Sequence, residues 1–506
     1  MKPSHILNTS LMSSAIALAL TACGGGGGGG ASPAPTPTPT PVTYSIGGSI
    51  TGMGSGTQLV LSNNGSDSLT VNANGTFSFT NKIASQATYQ VTIKTQPTGQ
   101  VCALNNGNGT VATNDVSNLA ITCVYQTNLP LSMLHANGTN VVDASGNKIQ
   151  LRGVNLGGLF VMEKWMSPLD SGNLPDTYSV IQTLDNRFGV ATEQSLITTY
   201  QQSWITGTDL DNIKNAGFNL IRIPVWWGQF YVLNNTTPSG WRPDAFTMLD
   251  WLVTNAAARG IYVVIDMHGV VGGQSNSDDT GYQNQNAYWT SATNQASTAY
   301  MWQQIATHYK DNPAVAGYDL INEPIGAPNT NAVWTAYNNL YNTIRSVDPT
   351  HMLIMEGTFG SWNWSMLPPP SKYGWSNVMY EMHEYQYNGS QAQVTGGSDN
   401  QVTDFINHAS WNVPGYIGEF NDFGYGPTAW LHSINAYDNA GLSWTVWSYK
   451  AIAGPAPNSW GWYDPTNKNA VIPNISSDSA ATIASSWQQW TTSNSFGLNT
   501  GNGLTP

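Results

Sequence analysis

The stretch Val315-Ala-Gly-Tyr-Asp-Leu-Ile-Asn-Glu-Pro324 decides the fold, because it is an apolar, strand-like run that ends on a glutamate. A second run further along the chain, Ile417-Gly-Glu-Phe420, repeats the pattern. Parallel strands of a barrel bring their carboxyl ends to one face, so we expect both glutamates to meet there. The two runs therefore predict a two-carboxylate site built on parallel strands.

Further apolar segments alternate with helical patterns after residue 130. The strand candidates are 150–156, 220–225, 261–267, 315–321, 352–355, 378–382, 416–419 and 443–447. The helical patterns include 245–259, 296–310, 331–347 and 428–440. Eight strands are what a closed parallel barrel needs, so the prediction is an α/β fold, a (β/α)8 TIM barrel over residues 130–497, with a tail of residues 498–506. No Gly-x-Gly-x-x-Gly turn follows the first strand, which weakens the alternative of a nucleotide-binding, doubly wound sheet.

The N-terminus predicts export and a tether. Residues 1–22 resemble a bacterial lipoprotein signal, in which Leu20-Thr-Ala-Cys23 is the lipobox and Cys23 becomes the acylated first residue; a plain secretory signal is the alternative. Residues 23–42 are a glycine run followed by Pro-Thr repeats, which predicts a linker. We expect an extracytoplasmic protein that is lipid-anchored, on the outer membrane by analogy, or secreted.

Residues 43–126 alternate apolar and polar side chains between Asn-Gly turns, which predicts a small β-sandwich. The segment resembles bacterial immunoglobulin-like modules, and both a spacer role and carbohydrate binding are open. Cys102 and Cys123 are expected to form a disulfide, with two free thiols as the alternative. No histidine lies beside them, so a metal site is not expected.

Composition limits the partners. Only 9% of the 506 residues are charged and the net charge is −13, which argues against nucleic acid. Exposed tryptophan and tyrosine would suit neutral sugar rings, although most of the 20 Trp are expected in the core. We expect a monomer that contacts a membrane only through its lipid anchor.

The paired glutamates suit retaining glycoside hydrolysis, which needs an acid and a nucleophilic carboxylate roughly 5 Å apart. Residues 130–495 resemble glycoside hydrolase family 5, the cellulase family. Asn322-Glu-Pro324 is similar to its acid/base signature and Gly418-Glu-Phe420 to its nucleophile signature. The resemblance implies that Glu323 is the acid/base, Glu419 the nucleophile and Asn322 a donor to the sugar 2-hydroxyl, with no cofactor and no metal.

Five further positions match the family one by one. The resemblance implies that Arg222 holds the nucleophile carboxylate and that His268 lines the subsite of the reacting sugar. It also implies that His383 and Tyr385 form the sixth-strand pair, with Tyr385 touching the nucleophile. Trp447 would form the floor under the reacting sugar.

Other polar groups and tryptophans have less defined roles. Asp266 and Glu384 are expected to support neighbours rather than touch sugar, and Glu356 is open between lining the cleft and a structural role. The acidic loop 275–279 predicts a solvated turn rather than a calcium site. Candidate stacking residues for further sugars are Trp226, Trp227, Trp362, Trp364 and Trp460, of which two or three could instead pack helices on the barrel.

The preferred linkage is less defined than the chemistry. Segments 152–158 and 268–274 are similar to the β-1,3- and β-1,6-glucanase branches, but Leu159 and Val270-Val271 depart from their pattern. Secretion on a tether and the family's commonest activity favour an endo-β-1,4-glucanase, a cellulase. The alternatives are an exo- or endo-acting β-1,3- or β-1,6-glucanase and, outside enzymes, a lipid-anchored carbohydrate-binding protein.

Overall fold

The computed structural model describes residues 41–53, 58–97, 100–125, 131–387, 389–453 and 460–499. The predicted signal peptide, Cys23, most of the linker and nearly all of the tail lie outside the described residues. Within the described ranges, each helix is too short or too polar to cross a bilayer.

The N-terminal region is a β-rich domain of two four-stranded sheets and one two-stranded sheet. Its strands are β1 Thr43–Tyr44, β2 Ile46–Thr51, β3 Leu59–Asn63, β4 Asp67–Val71, β5 Gly75–Ser78, β6 Ile83–Ala84, β7 Thr88–Thr95, β8 Gln100–Asn105, β9 Asn108–Thr110 and β10 Val116–Tyr125. The sheet orders are β5-β2-β10-β8 and β4-β3-β7-β9. Alternate residues such as Ile46, Ile50, Leu59 and Leu61 form one buried cluster, as period-two patterning requires. The predicted β domain is confirmed, and its immunoglobulin-like identity stays a prediction.

Cys102 and Cys123 lie directly opposite each other in the antiparallel register of β8 and β10. Their sulfur atoms are bonded, which confirms the predicted disulfide. The bond joins the two strands that form one edge of a sheet.

The larger region has twelve described strands, eight of which form a closed parallel barrel. Its strands are β11 His135–Asn137, β12 Asn140–Val142, β13 Arg152–Asn155, β14 Leu220–Trp226, β15 Tyr262–Gly269, β16 Val315–Asp319, β17 Met352–Glu356, β18 Val378–Glu384, β19 Gly415–Phe420, β20 Ser443–Val446, β21 Tyr463–Pro465 and β22 Phe496–Leu498. Strands β13 to β20 form the barrel in sequence order. Each corresponds to one of the predicted strands, so the (β/α)8 prediction is confirmed.

Helices surround the barrel. They are α1 Thr177–Phe188, α2 Val190–Trp204, α3 Gly207–Asn215, α4 Trp227–Phe230, α5 Thr247–Ala258, α6 Ala292–Tyr309, α7 Thr330–Arg345, α8 Gln391–Asn407, α9 Pro427–Ala440, α10 Ala480–Trp487 and α11 Thr492–Ser495. Asn329 caps α7 by accepting from the Ala332 N–H, and the buried residues of this helix recur at helical spacing. The four predicted helical patterns correspond to α5, α6, α7 and α9.

The barrel interior is apolar at one end and polar at the other. The hairpin β11–β12 contributes Leu134 and Val141 to a buried cluster with Leu220, Val264 and Met352 at the amino ends of the strands. Polar and charged side chains occupy the interior toward the carboxyl ends. This layering places the candidate site on the face that barrel enzymes use.

Candidate active site

The two glutamates predicted from the strand ends meet at the carboxyl face of the barrel. Glu419 lies within β19, and Glu323 lies four residues beyond the end of β16, with a left-handed backbone at φ 37°. One carboxylate oxygen of each, together with a ring nitrogen of His383, lies within 4.8 Å of the others. Retaining glycosidases hold their two carboxyl groups about 5 Å apart, whereas inverting enzymes need roughly 6.5–9.5 Å.

The Glu419 carboxylate is held from both sides. Arg222 Nη1 donates to its Oε1 at 2.7 Å, and the Tyr385 hydroxyl donates to its Oε2 at 2.8 Å. Arg222 Nη2 also donates to Asn322 Oδ1 at 2.9 Å. This bond fixes the Asn322 amide so that its N–H groups, which have no acceptor within the described ranges, can serve another partner.

Arg222 is the buried cation of a strongly acidic interior. Its guanidinium lies 3.2 Å from Asp266, 2.7 Å from Asp319, 3.4 Å from Glu381 and 2.7 Å from Glu419. Burial, only partly offset by Arg222, raises the pKa of Asp266 to about 7 and of Asp319 to about 6. Burial and the charge of Asp319 raise the pKa of Glu381 well above its usual range. Some of these carboxyls therefore carry protons near neutral pH.

Sequence reasoning missed three residues that contact this arginine. Asn155 Oδ1 accepts from Arg222 Nη1 at 3.1 Å, while its Nδ2 donates to the carbonyls of neighbouring strands. Asp319 and Glu381 lie in mainly apolar strands. A carboxylate within such a strand is the sequence feature that could have identified them as buried partners of a charge. Asn155 carried no comparable signal, because a single asparagine at a strand end is common.

Glu323 has different neighbours. Its Oε1 lies 2.8 Å from His383 Nδ1, and it forms no salt bridge with a lysine or arginine in the part of the chain that the structure describes. Burial raises the pKa of Glu323 and lowers that of His383 to about 3. The imidazole is thus neutral. One tautomer can accept a hydrogen bond from protonated Glu323, and the other can donate a hydrogen bond to the Glu323 carboxylate.

Glu356 supports Glu323 instead of lining the cleft. This residue is fully buried at the end of β17, and its Oε2 accepts from the Glu323 backbone N–H at 2.5 Å. The bond holds the backbone of Glu323 in its unusual left-handed conformation. The question that the sequence left open is therefore resolved toward a structural role.

His268 and Trp447 pack against each other. Their rings are parallel within 7°, with centroids 5.4 Å apart. His268 Nδ1 lies 2.6 Å from Asp266 Oδ2, so Asp266 orients the imidazole as expected for a supporting residue. Glu384 points away from the centre and accepts from Gln386 and from Gln401 on α8.

The five candidate stacking tryptophans separate into two groups. Trp226, Trp227 and Trp364 are 1%, 6% and 2% exposed and belong to the main core, so they pack helices on the barrel and offer no face to a sugar. Trp362 and Trp460 are half-buried and join Trp447 and Tyr385 in a separate cluster. These three therefore follow the alternative that the sequence left open, in which two or three of the five tryptophans pack in the core.

An aromatic wall extends from this second cluster. Trp460 lies 5.1 Å from Trp165 and 4.9 Å from Phe423, measured between ring centroids. Tyr387 stacks on Tyr385 at 5.3 Å and is 57% exposed. Three of these rings, Trp165, Phe423 and Tyr387, were not singled out from the sequence as stacking residues.

The acidic loop 275–279 is exposed or half-buried at every residue except Ser275. Asp279 is half-buried, and burial together with the charge of Glu323 raises its pKa to about 7. Glu163 is buried nearby and accepts from Trp165 Nε1 at 2.7 Å. Burial and the charge of Asp279 raise the pKa of Glu163 well above its usual range. These two carboxyls add to the polar lining of the site.

The same centre could be considered for a metal. Glu323, His383 and Glu419 have the mutual spacing of metal ligands. One oxygen of Glu419, however, already faces the positive charge of Arg222 at 2.7 Å, which opposes a second cation at that carboxylate. The donor set therefore fits proton transfer better than cation binding.

Comparison with known proteins agrees with the fold and places the chain in a family. Residues 142–452 match the family described as cellulase (glycosyl hydrolase family 5), which covers more than half of the chain. The chain therefore belongs to glycosyl hydrolase family 5. Residues 44–150 match a domain of unknown function, DUF4369.

Individual relatives are more distant. The chain is 29% identical to a beta-xylosidase of Phanerodontia chrysosporium over 52% of this chain and 54% of the relative. It is 31% identical to a probable glucan 1,3-beta-glucosidase A of Aspergillus niger, over 47% of this chain and 55% of the relative. The chain thus spans about half the length of the first curated relatives that it matches.

A solved structure supports the fold alone. The rutinosidase from Aspergillus niger aligns with a TM-score of 0.51 and 16% identity, covering 67% of this chain and 98% of that chain. The shared architecture is the barrel, and the chemistry of this chain has to be argued from its own residues.

Proposed function

We propose that this protein is a retaining glycoside hydrolase that cleaves β-glucan, with Glu419 as nucleophile and Glu323 as acid/base. The observation that carries the proposal is the pair of carboxylates with oxygens within 4.8 Å and with opposite surroundings. Glu419 faces a permanent cation and a hydroxyl donor. Glu323 faces a neutral imidazole, and burial raises its pKa. Unequal environments of this kind assign the acid and the nucleophile.

In the first step, a Glu419 oxygen attacks the anomeric carbon while the bond to the leaving oxygen breaks. Protonated Glu323 gives its proton to that oxygen, so the leaving sugar departs as a neutral alcohol. Arg222 and Tyr385 hold the attacking carboxylate in place. The free amide N–H groups of Asn322 can donate to the sugar 2-hydroxyl.

In the second step, water attacks the anomeric carbon of the glycosyl-enzyme ester and Glu323 takes its proton, while the bond from that carbon to the Glu419 oxygen breaks and Glu419 returns to a carboxylate. Glu323 is by then a carboxylate, so the neighbouring His383 must tolerate both protonation states. A neutral imidazole does so by changing tautomer, whereas an imidazolium would hold Glu323 ionised. The lowered pKa of His383, about 3, suits this exchange.

For the linkage, the sequence favours endo-β-1,4-glucan hydrolysis. The similarity to a protein named probable glucan 1,3-beta-glucosidase A supports the β-1,3 alternative. The similarity of segments 152–158 and 268–274 to the β-1,3- and β-1,6-glucanase branches supports it as well. The aromatic wall of Trp165, Trp460, Phe423 and Tyr387 offers ring faces to more than one sugar unit. Both linkages are compatible with the same two-carboxylate chemistry.

Product analysis with proton NMR tests the proposal. The protein is incubated with carboxymethyl-cellulose, barley mixed-linkage glucan, laminarin and pustulan, and the first reducing ends are observed before mutarotation. We expect the β-anomer from the substrates that are cleaved, with the cleaved set reporting the linkage. A first product in the α-anomer would contradict a retaining mechanism.

The Glu419→Gln variant separates an enzyme from a carbohydrate-binding protein. The enzyme should lose turnover and keep its affinity for glucan, because the amide fills the same space without a negative charge. A protein that only binds glucan shows no turnover in either form.

Export and anchoring form a separate part of the proposal. A Leu-Thr-Ala-Cys23 lipobox predicts acylation of Cys23, and a Cys23→Ser variant should remain soluble and lose incorporation of labelled palmitate. Equal palmitate incorporation in both proteins would contradict it.

A further inference from the structure

A second cavity lies outside the barrel, away from the two glutamates. It encloses about 410 Å³ among α2, the start of α3, α4 and α5. Its polar lining includes Gln194, Gln201, Gln202, Arg242, Asp244 and Trp251. Its lining residues form no hydrogen bond or ion pair with Glu323 or Glu419, so the proposed hydrolysis does not account for it.

Several polar groups in this cavity lack a protein partner. Gln201 is only 6% exposed, yet its amide makes no hydrogen bond to any residue in the described ranges. Gln274, which is also buried, donates to two carbonyl oxygens at 2.8 and 2.9 Å. The amide atoms of Gln201 are not fully enclosed by protein, and the residue lines the cavity. The amide is therefore available to donate to and accept from a ligand there.

Trp251 adds an aromatic ring to the cavity lining. Its side chain is partly buried against the main core. Its indole N–H has no acceptor within the described ranges and is not fully enclosed by protein, so it can donate to a ligand in the cavity. An indole with an open N–H, next to unpaired amides, combines an apolar surface with directional polar groups.

The arginine at the cavity is already paired. Arg242 donates to both oxygens of Asp244 at 3.1 Å and lies 3.7 Å from the buried Glu193. Asp185 is a further acidic neighbour, which acts on both Arg242 and Glu193. A guanidinium already bound by a bidentate carboxylate has little capacity for an anionic ligand. The lining therefore favours a neutral, hydroxyl-rich ligand.

We propose that this cavity is a second carbohydrate-binding site, which takes a short segment of a neutral glycan. Sugar hydroxyls both donate and accept, as do the amides of Gln194, Gln201 and Gln202. Sugar rings also carry an apolar face that suits Trp251. The volume lies within the roughly 300–1,000 Å³ typical of small-molecule sites. Such a site would hold a polysaccharide chain against the enzyme while the cleft acts on it.

The choice of β-glucan as the probe rests on the proposed function. Calorimetric titration with cellohexaose and laminarihexaose compares E419Q, in which hydrolysis is silenced, with E419Q/W251A and E419Q/Q201L. We expect E419Q to bind two oligosaccharides per chain. Each double variant should lose the second site, with its affinity at least tenfold weaker, and keep the cleft affinity within twofold.

Two results would overturn the inference: one bound oligosaccharide per chain in E419Q, or an unchanged second site in both double variants. Q201L changes few contacts and keeps the test valid if W251A unfolds. Trp411, a partly buried tryptophan that packs on Tyr380, provides the matched control W411A, which should keep both sites. Turnover of the wild-type protein is measured separately, so failure of the proposed hydrolysis is distinguishable from failure of this site.

Discussion

Replacing Arg222 with lysine tests the role of the buried guanidinium. Arg222 forms five hydrogen bonds, to Asn155 at 3.1 Å, Glu419 at 2.7 Å, Asn322 at 2.9 Å and Asp319 twice, at 3.1 and 2.7 Å. Lysine keeps the charge but has three donors on one atom, so it loses at least two of these bonds. Hydrogen bonds to charged groups contribute about 1.5–3 kcal/mol each, which gives a total loss of about 3–6 kcal/mol.

This loss should appear in both stability and turnover. The bonds to Glu419 and Asn322 bear on catalysis, so we expect kcat/KM to fall at least about 100-fold, given that about 1.4 kcal/mol is a tenfold change. The free energy of unfolding should fall by several kcal/mol, because buried acceptors around Arg222 lose hydrogen bonds that lysine cannot replace. Hydrolysis of the best glucan and urea denaturation measure the two effects.

Arg152→Lys is the matched control. Arg152 also pairs with a carboxylate, Asp438 at 2.8 Å, but its side chain is 41% exposed. A surface pair contributes about 0–1 kcal/mol, so this variant should match the wild type in turnover and nearly match it in stability. An R222K protein that keeps kcat/KM within tenfold of the wild type, or the same loss in both variants, would refute the reasoning.

Three further predictions follow from the site and its surroundings. Tyr385→Phe removes the donor to Glu419 Oε2 at 2.8 Å, so kcat/KM should fall about 10- to 100-fold, and an unchanged value would contradict the contact. Since Glu323 must be protonated to act and burial raises its pKa above 4.5, kcat/KM on glucan should fall as pH rises through that raised value. An aryl glycoside with a good leaving group needs no proton and should lack this alkaline limb. Burial raises the pKa of Asp422 from 3.8 to about 7, so the folded state binds the extra proton in that window and stability decreases as pH rises through it. Asp422→Asn should flatten the dependence of Tm on pH between about 4 and 8, and a parallel curve would contradict the assignment.

The barrel and the two glutamates could be predicted because their signals are local. Strands of a parallel barrel are buried on both faces, so each appears as a short apolar run. Glu323 and Glu419 follow or end such runs, and the barrel geometry brings those ends together. Arg222 is a charge within an apolar strand, which requires a buried partner.

Other parts depend on contacts that no short pattern records. A tryptophan near a strand end can face the cleft or pack in the core, and Trp226 is buried with its ring packed against Gly228 and Gly281. Glu356 has a role only because the backbone of Glu323 adopts a left-handed conformation, which places its N–H within reach. The unpaired amide of Gln201 becomes visible only when its neighbours are known.

The central claim is that Glu419 forms a covalent bond to the sugar. The most direct test is to incubate the protein with a 2-deoxy-2-fluoro β-glucoside or β-cellobioside that carries an activated leaving group, and to locate the label by peptide mass spectrometry. The account predicts one fluoroglycosyl group per chain, attached to Glu419, and none in the Glu419→Gln variant. Turnover of a glucan without any trapped ester, or a label on another carboxylate, would contradict it.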